Sequence, residues 1–444
     1  MSMRAHKGAA CGLALAVAGL VCGAPRGYAI TLDAYGFGGR GPALAGAMGP
    51  LADDATAAFY NPAGLALGTQ PTLLIGYGAG VPRLTFDGRI APVETARGIS
   101  LGLAIPRSIG TTTLAFGAAL YFPDQRLVRI RALPATEPRF SLYDNRVHRL
   151  AVHPALGFRP WPWLSIGAGV SILADAKGAG TDLDVTLDLE RTQDPTAQRA
   201  SASLDVQLPT RIAPVVGVWA RLHERLRASL VWRGAISLDV ALDTRVKIDA
   251  GFLRGRALTG LSSSDYYTPH TLSLGAAFEV TRSITLSAEA TWYRWSAAPS
   301  PAPLIRAALD LGLPIDVVNV SVPASAYQPW DIVVARLGAE GKLRPRKDVE
   351  LTWRAGFAYE PTPMPRQTGL TSLADNDKIV LSAGVGVAFE ELGGLIAGPL
   401  RVDAFLQAHV LRDRVHPKAI ALPTPTFVSR GEIWVLGTAV SIGF

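Results

Sequence analysis

Serine and histidine are the residues of this chain that could carry out nucleophilic chemistry. A serine beside a histidine can act as nucleophile and base, and Ser171 and His153 fall on neighbouring strand-like segments. The sequence does not fix the register of those segments, so a hydrolytic enzyme is kept as an alternative. The six histidines after residue 29 have no metal-ligand spacing. We therefore predict no enzymatic activity, no metal and no cofactor.

Two further motifs have simpler explanations than ligand binding. Gly36–Gly41 matches the G-x-G-x-x-G pattern of dinucleotide sites, but neither a buried strand nor a βαβ unit surrounds it. Asp53 and Asp54 could bind a metal, yet acidic residues are common where a helix begins. The sequence indicates a turn-rich segment followed by a short helix.

Arginine offers a different chemistry, because a guanidinium group binds a carboxylate by charge-assisted hydrogen bonds. Seven arginines occupy positions that share one face of strand-like segments, together with Glu289, Glu340, Asp403 and His409. They could bind an anionic ligand, or they could pair with the acidic residues and brace the structure. The candidates are Arg149, Arg211, Arg227, Arg233, Arg336, Arg354 and Arg401.

The elements that carry these residues are fourteen strand-like segments whose connections alternate between long and short. One rim of an outer-membrane barrel has tight turns and the other has long loops. We therefore predict a 14-stranded antiparallel transmembrane β-barrel. The segments are 71–81, 94–106, 111–122, 146–159, 163–175, 208–222, 226–240, 268–280, 284–296, 329–343, 348–360, 376–389, 400–415 and 429–444.

Apolar and small or polar residues alternate within these segments. Between Thr111 and Phe122, Leu114, Phe116 and Leu120 share one face, and Thr113 and Gly117 share the other. A period of two places one set in lipid and the other in the lumen. A soluble sandwich or propeller also alternates, but it does not require every second loop to be short.

Both ends of the sequence carry signals for export. Arg4 and Lys7 precede an apolar run and a Gly27-Tyr28-Ala29 site, which indicates a signal peptide over residues 1–29. Its removal would lower the formal net charge from +7 to +4 and would remove both cysteines. The aromatic Phe444 closes the last strand, as expected for recognition by the barrel-assembly machinery. No basic run with interleaved aromatic residues indicates nucleic acid.

Residues 30–70 precede the first strand and have no hairpin pattern. Short helices are predicted at 42–48 and 53–60, the second ending at Asn61-Pro62. Because a fourteen-stranded barrel is wide enough to need filling, we expect this apolar segment to form a plug inside the lumen, with the barrel over residues 71–444.

The chain resembles the FadL-like family of outer-membrane transporters for long-chain fatty acids and other hydrophobic compounds. The family's hatch, which is its N-terminal plug, has the same order of motifs and ends in Asn61, Pro62, Ala63 and Gly64. The other carrying segments are Gly36–Gly41, Ala43–Met48, Ala52–Ala55, Thr291–Ser296, Tyr327–Trp330, Arg336–Glu340 and Trp353–Pro363.

The resemblance implies passive uptake of a hydrophobic molecule, with long-chain fatty acids expected first. The molecule would enter a groove among the extracellular loops, pass to a lumenal pocket beside the hatch, and leave sideways through an opening at a kinked third strand. The segment 302–318 either lines this groove or forms a loop helix; its groove candidates are Leu304, Ile305, Leu311 and Leu313.

An open diffusion porin for small polar solutes is the alternative, although a porin has no need of a forty-residue apolar plug. We expect a monomer that contacts outer-membrane lipid and lipopolysaccharide.

Overall fold

The computed structural model describes residues 35–124, 137–144, 150–173, 185–187, 200–206, 210–249, 254–300, 304–310, 318–322, 328–390, 398–419, 422 and 424–444. The predicted signal peptide lies outside these residues and stays a prediction. Among the residues described, none of the helices is long and apolar enough to span a bilayer.

Fourteen antiparallel strands form a closed barrel, as predicted. They are β1 Thr72–Phe86, β2 Ala96–Ile109, β3 Thr112–Pro123, β4 Ala151–Trp161, β5 Leu164–Leu173, β6 Arg211–His223, β7 Leu226–Arg233, β8 Thr271–Glu279, β9 Ile284–Tyr293, β10 Ile332–Arg346, β11 Val349–Glu360, β12 Lys378–Phe389, β13 Leu400–His416 and β14 Phe427–Gly443.

The barrel closes because β1 pairs with β14 on one side and with β2 on the other. Thr72 lies opposite Gly443 at one end of the β1–β14 ladder, and Phe86 lies opposite Ser429 at the other end. The predicted short connections all lie at the rim where β1 begins and β14 ends, which is the periplasmic rim of an outer-membrane barrel. The rim with the long connections is therefore extracellular.

The two faces of the wall differ as the alternation predicts. Leu114 and Phe116 point outward and are 50% and 43% exposed, whereas Ala115 and Ala119 on the same strand are buried. Large apolar side chains are exposed in this way on strands all around the barrel. An apolar surface of this extent is stable in lipid and would aggregate in water.

Residues 35–70, which we call the hatch, lie against the inner face of the barrel and are mostly buried. They contain two short helices, α1 Arg40–Ala43 and α2 Ala57–Tyr60, and a 3-10 helix, Pro62–Leu67. The predicted helix over 42–48 is wrong in position, and the one over 53–60 begins later than predicted. A helix does not begin at Asp53, whose carboxylate pairs with Arg40, whereas Asp54 accepts a hydrogen bond from Thr56 N just before α2.

A second antiparallel sheet of six strands continues from the extracellular rim. Its longest hairpin, Ile236–Asp249 with Arg254–Thr268, connects β7 to β8. The remaining strands are Val185–Leu187, Ala200–Val206, Leu304–Asp310 and Val318–Val322. The predicted segment 226–240 therefore covers parts of two strands. The loop-helix alternative for 302–318 is wrong over 304–310, which forms a strand.

Candidate functional site

A belt of glycines on the inner wall forms the seat of the hatch. On β4, β5 and β6, a Cβ atom at Gly157, Gly167 or Gly217 would overlap atoms of the hatch between Asn61 and Ala66. The same close approach occurs on the opposite wall, where Gly356 on β11 meets the backbone of Leu44 and Ala45. Glycine is required at these positions because two backbones meet there without room for a side chain.

Polar side chains of the wall bind the backbone of the hatch. Ser165 Oγ donates to Ala63 O at 2.6 Å, and Ser382 Oγ donates to Ala43 O at 2.9 Å. Further bonds of this kind run from Ser287 Oγ to Ala47 O, from Gln407 Nε2 to Pro42 O, from Trp219 Nε1 to Pro50 O, and from Gly49 N to Glu289 Oε2. An irregular segment can be buried only if its peptide groups are satisfied in this way.

Asn61 explains why the Asn-Pro-Ala-Gly motif ends the hatch. Its Oδ1 accepts from Ala63 N at 3.1 Å and so caps the 3-10 helix. Its Nδ2 donates to Gly49 O at 3.1 Å and to Val218 O on β6 at 3.3 Å. Pro62 follows at the first helical position, where its missing N–H costs nothing. The motif thus joins two parts of the hatch to the wall.

Arg40 anchors the other side of the hatch through a network of alternating charges. Its Nε and Nη2 donate to the two oxygens of Glu340 on β10 at 2.9 and 3.0 Å, and its Nη1 donates to Asp53 at 2.6 Å. Arg354 on β11 donates to Glu340 at 2.7 Å and to Asp403 on β13 at 2.6 Å.

Burial alone would lower the pKa of Arg40, but the carboxylates of Glu340, Asp53 and Asp54 outweigh burial and hold the pKa well above its ordinary value. Arg40 is therefore a permanent cation. We call Asp53, Arg40, Glu340, Arg354 and Asp403 the charge latch. A buried cation such as Arg40 is stable only while its acidic partners stay in place.

Aromatic residues and arginines converge on the extracellular side of the hatch. Arg233 lies with its Cζ 4.9 Å from the centre of the Phe59 ring. Arg336 donates to Tyr293 Oη and to Thr291 Oγ1, each at 2.8 Å. We call this group the aromatic–arginine cluster; it consists of Phe37, Phe59, Tyr60, Arg233, Glu289, Tyr293 and Arg336.

Tyr60 lies at the centre of this cluster. Its hydroxyl accepts from Phe37 N at 2.8 Å, and burial raises its pKa above the ordinary value. Glu289, Arg233 and Arg336 all act electrostatically on it. Phe37 and Phe59 are buried and the other members of the cluster are half-buried. The cluster combines apolar ring faces with two guanidinium groups and one carboxylate. This composition suits an amphiphile that has an apolar body and an anionic end.

The remaining predicted arginines are distributed around the barrel. Arg354 belongs to the charge latch, Arg227 pairs with Glu279, and Arg401 lies 3.5 Å from Glu350. These three are braced by acidic residues. Arg211 lies at the extracellular end of β6, opposite Leu173. Arg149 lies outside the described residues.

The predicted loop groove is only partly described. Leu304 and Ile305 lie on the strand Leu304–Asp310, which pairs with Arg254–Thr268. Leu311 and Leu313 lie outside the described residues. The groove therefore stays a prediction.

A loop over residues 361–377 connects β11 to β12 at the extracellular rim; the predicted segment bounds leave a connection here but do not give its contacts. Arg414 donates to Met364 O at 2.7 Å, and Asn376 Nδ2 donates to Ser429 O at 2.8 Å. Asp375 is fully buried, which raises its pKa, and it accepts from Thr362 Oγ1 at 2.6 Å. The sequence signal was the run of polar residues after Pro361–Pro365. These residues form hydrogen bonds within the loop, as Gln367 Nε2 does to Pro365 O.

Ser171 and His153 are in contact, as the hydrolytic-enzyme alternative requires. His153 Nδ1 lies 2.9 Å from Ser171 Oγ, and both residues are buried on the inner face of adjacent strands. In the described part of the chain, His153 Nε2 has no hydrogen-bond partner. A catalytic triad needs an acidic group that orients the histidine, and the described contacts of His153 do not supply one.

Comparison with known proteins agrees with this architecture. The model of the family described as outer membrane protein transport protein (OMPP1/FadL/TodX) matches residues 18–398. The chain belongs to this family. It is therefore an outer-membrane β-barrel protein of bacteria, and the family's members are described as transport proteins. The resemblance seen in the sequence is confirmed.

Individual relatives are distant. A long-chain fatty acid transport protein of Escherichia coli O6:H1 is 29% identical over 97 residues, which are 22% of this chain and 20% of that protein. The match thus spans about a fifth of the curated relative's length.

Two solved structures show the same fold. A Pseudomonas aeruginosa FadL homologue aligns with a TM-score of 0.60 at 16% identity and covers 94% of this chain and 100% of its own. The P. putida toluene transporter TodX aligns with a TM-score of 0.54 at 14% identity and covers 93% and 99%.

Proposed function

We propose that this chain transports hydrophobic molecules passively across the outer membrane, and that its preferred cargo is a long-chain fatty acid. The aromatic–arginine cluster carries the proposal, because it places two guanidinium groups beside aromatic rings at the extracellular side of the hatch. The carboxylate would bind between Arg233 and Arg336, and the acyl chain would lie against Phe59. The cargo would enter from the loops and leave sideways into the membrane.

The hatch argues against an open diffusion porin. Side chains of β5, β6, β9, β12 and β13 donate hydrogen bonds to its backbone, and its Arg40 binds Glu340 on β10. Water-filled passage would require most of these bonds to break. A deletion of residues 30–70 is expected to convert a closed protein that binds a fluorescent fatty acid into a conducting one in a planar bilayer. A large steady conductance from the intact protein, without binding of the probe, would instead identify a porin.

Binding to purified protein tests the cargo class. Arg233→Met and Arg336→Met should each weaken binding of the fatty acid by about tenfold or more, the size of one charge-assisted hydrogen bond. Binding of the fatty alcohol of the same chain length should change little. Arg83→Met is the matched control, since Arg83 is 72% exposed at the rim.

If the arginine variants lost equal affinity for the fatty acid and the fatty alcohol, recognition of the carboxylate would be excluded. Toluene is the second cargo to test, because the TodX relative is described as a toluene transporter. Binding of toluene by a protein that ignores the fatty acid would overturn the preferred cargo and keep the transport of hydrophobic molecules.

A further inference from the structure

Two arginines lie beneath the hatch at the periplasmic mouth of the lumen. Gly157 on β4 underlies the 3-10 helix, and Trp219 on β6 donates to Pro50 O of the hatch. Because side chains on one face of a strand recur every second residue, the next lumen-facing residues toward the periplasm are Arg159 and Arg221. The two arginines therefore belong to the first layer of side chains below the hatch.

The strands bring these two arginines within reach of each other. β5 lies between β4 and β6, and its Ser165 is opposite Trp219 on one side and at the level of Arg159 on the other. Two strand spacings are about 10 Å, and an arginine side chain on each side can span that distance. Arg221 is also the charged residue that acts electrostatically on Arg159.

Neither arginine has an acidic partner among the described residues. Arg159 Nη2 donates to Pro162 O at 2.7 Å, but its Nε is buried and has no hydrogen-bond partner in the described part of the chain. Arg221 has its Cζ 5.9 Å from the centre of the Trp219 ring. Since a buried N–H group without an acceptor is costly, Arg159 requires an acceptor that the described side chains do not supply.

A third arginine increases the positive charge at this place. Arg221 lies directly opposite Arg227 on β7, and like charges at opposite positions of a ladder repel. Arg227 is balanced by Glu279 on β8, and Arg159 and Arg221 are not. On another part of the rim, by contrast, three cations surround the carboxylate of Glu350 at ion-pair distance. The side formed by β4, β5 and β6 is therefore the part that suits an added anion.

Two tryptophans place this side of the rim at the level of lipid headgroups. Trp161 and Trp163 lie in the β4–β5 turn, are about half exposed, and stack with their ring centroids 5.7 Å apart. Tryptophan is enriched where the apolar band of a membrane protein meets water. The lipid-facing surface of the barrel thus ends beside Arg159, and headgroups of the periplasmic leaflet lie within reach of its guanidinium group.

We propose that Arg159 and Arg221 form a binding site for a phosphate group at the periplasmic mouth of the lumen. The two guanidinium groups would donate to different oxygens of one phosphate by charge-assisted hydrogen bonds. Arg159 Nε would gain an acceptor, and the anion would reduce the repulsion between Arg221 and Arg227. The phosphate belongs either to an anionic phospholipid of the periplasmic leaflet or to free phosphate. The site does not depend on the proposed transport function.

Binding to the purified protein in neutral detergent tests this site. The probes for isothermal titration calorimetry are short-chain phosphatidylglycerol, short-chain phosphatidylcholine and inorganic phosphate. Arg159→Gln and Arg221→Gln should each weaken binding of the anionic probe by about tenfold or more, as expected for the loss of a charged hydrogen-bond donor. Arg282→Gln is the matched control, because Arg282 is exposed in the β8–β9 turn of the same rim, and it should bind as the native protein does.

The three probes distinguish the two sources of phosphate. Binding of phosphatidylglycerol that requires both arginines and is tighter than binding of inorganic phosphate identifies the leaflet lipid. Inorganic phosphate that binds as tightly, with the same dependence on the arginines, identifies free phosphate. Phosphatidylcholine should bind more weakly, because its choline group balances the phosphate charge. The site is overturned if the native protein binds neither anionic probe, or if both arginine variants bind them as tightly as the native protein.

Thermal unfolding separates a ligand site from a purely structural role of Arg221. Without phosphate or lipid, Arg221→Gln should be at least as stable as the native protein, because it removes the repulsion with Arg227. The anionic probe should stabilise the native protein more than the variant, so that the native protein becomes the more stable of the two. A variant that is less stable by the same amount under both conditions would show a structural role and count against the site.

Discussion

Replacing Arg40 with methionine should loosen the hatch and leave the barrel intact. Arg40 is 8% exposed and binds Glu340, itself 4% exposed, through two hydrogen bonds. Removing one partner of a buried ion pair costs about 3–5 kcal/mol. We expect a cost of about 3 kcal/mol, the lower end of that range, because Glu340 keeps Arg354 as a partner and Asp53 is 43% exposed. No barrel ladder involves residue 40.

That cost corresponds to roughly a hundredfold larger population of hatches that have left their seat. Hydrogen exchange of peptides from residues 35–70 reports this population, and single-channel recordings in a planar bilayer should show brief openings that the native protein lacks. Peptides from β1–β14 should exchange as in the native protein.

Arg83→Met is the control, because Arg83 is 72% exposed and lies 3.8 Å from Glu432. Glu340→Gln provides a second comparison. If the charge latch acts as a unit, the double variant Arg40→Met with Glu340→Gln should cost less than the sum of the single variants. Unchanged exchange in the hatch of Arg40→Met would refute the idea that Arg40 holds it in place.

Three further predictions concern the same seat. Gly167→Val should displace the 3-10 helix at a cost of about 1–3 kcal/mol and raise conductance, whereas Gly369→Ala, with no atom within 4 Å of the new Cβ, should not. Asn61→Ala should destabilise the hatch by about 1–3 kcal/mol, since Ala63 N and Val218 O lose their partner. Hydrogen exchange over residues 56–68 measures this loss, and the control Asn61→Asp should retain the cap on the 3-10 helix. Burial raises the pKa of Tyr60 above its ordinary 10.0, so the stability that its neutral form gives the hatch is present below about pH 10 and falls as pH rises further. Conductance should therefore increase above that pH, and in Tyr60→Phe this increase should be smaller.

The barrel could be predicted from the sequence because its rules are local. A period of two determines which side chains of a strand face lipid, and tight turns leave a visible rhythm along the chain. The same rules cannot identify partners. Alternation placed Arg233 and Arg354 on the same inner face, yet one lies over Phe59 and the other is held by two carboxylates.

The hatch was harder to predict in detail. Asp53 and Asp54 together predicted a helix start, but Asp53 pairs with Arg40, which is distant in the sequence, and only Asp54 bonds locally, to Thr56. The loop over 361–377 was predicted only as a connection between two strands: its buried Asn376 is held by Ser429 of β14, whereas Asp375 accepts from Thr362 of the same loop. Tertiary contacts of this kind leave no period in the sequence.

The hatch is held differently on its two sides, and this difference bears on transport. Toward β10, β11 and β13 it is fixed by the charge latch, which loses stability steeply if one partner leaves, because Arg40, Glu340, Arg354 and Asp403 are buried charges. Toward β4 and β5 it lies mainly on glycine backbone, with the bond from Ser165 Oγ to Ala63 O as a polar contact, and the dispersion contacts there change gradually with small shifts. A cargo that pushes on Phe59 would therefore tilt the hatch at its β4–β5 side while Arg40 stays in place. That tilt would move Phe59 away from the His153 ring that it contacts, and it would leave the bonds that seal the opposite side of the lumen unbroken.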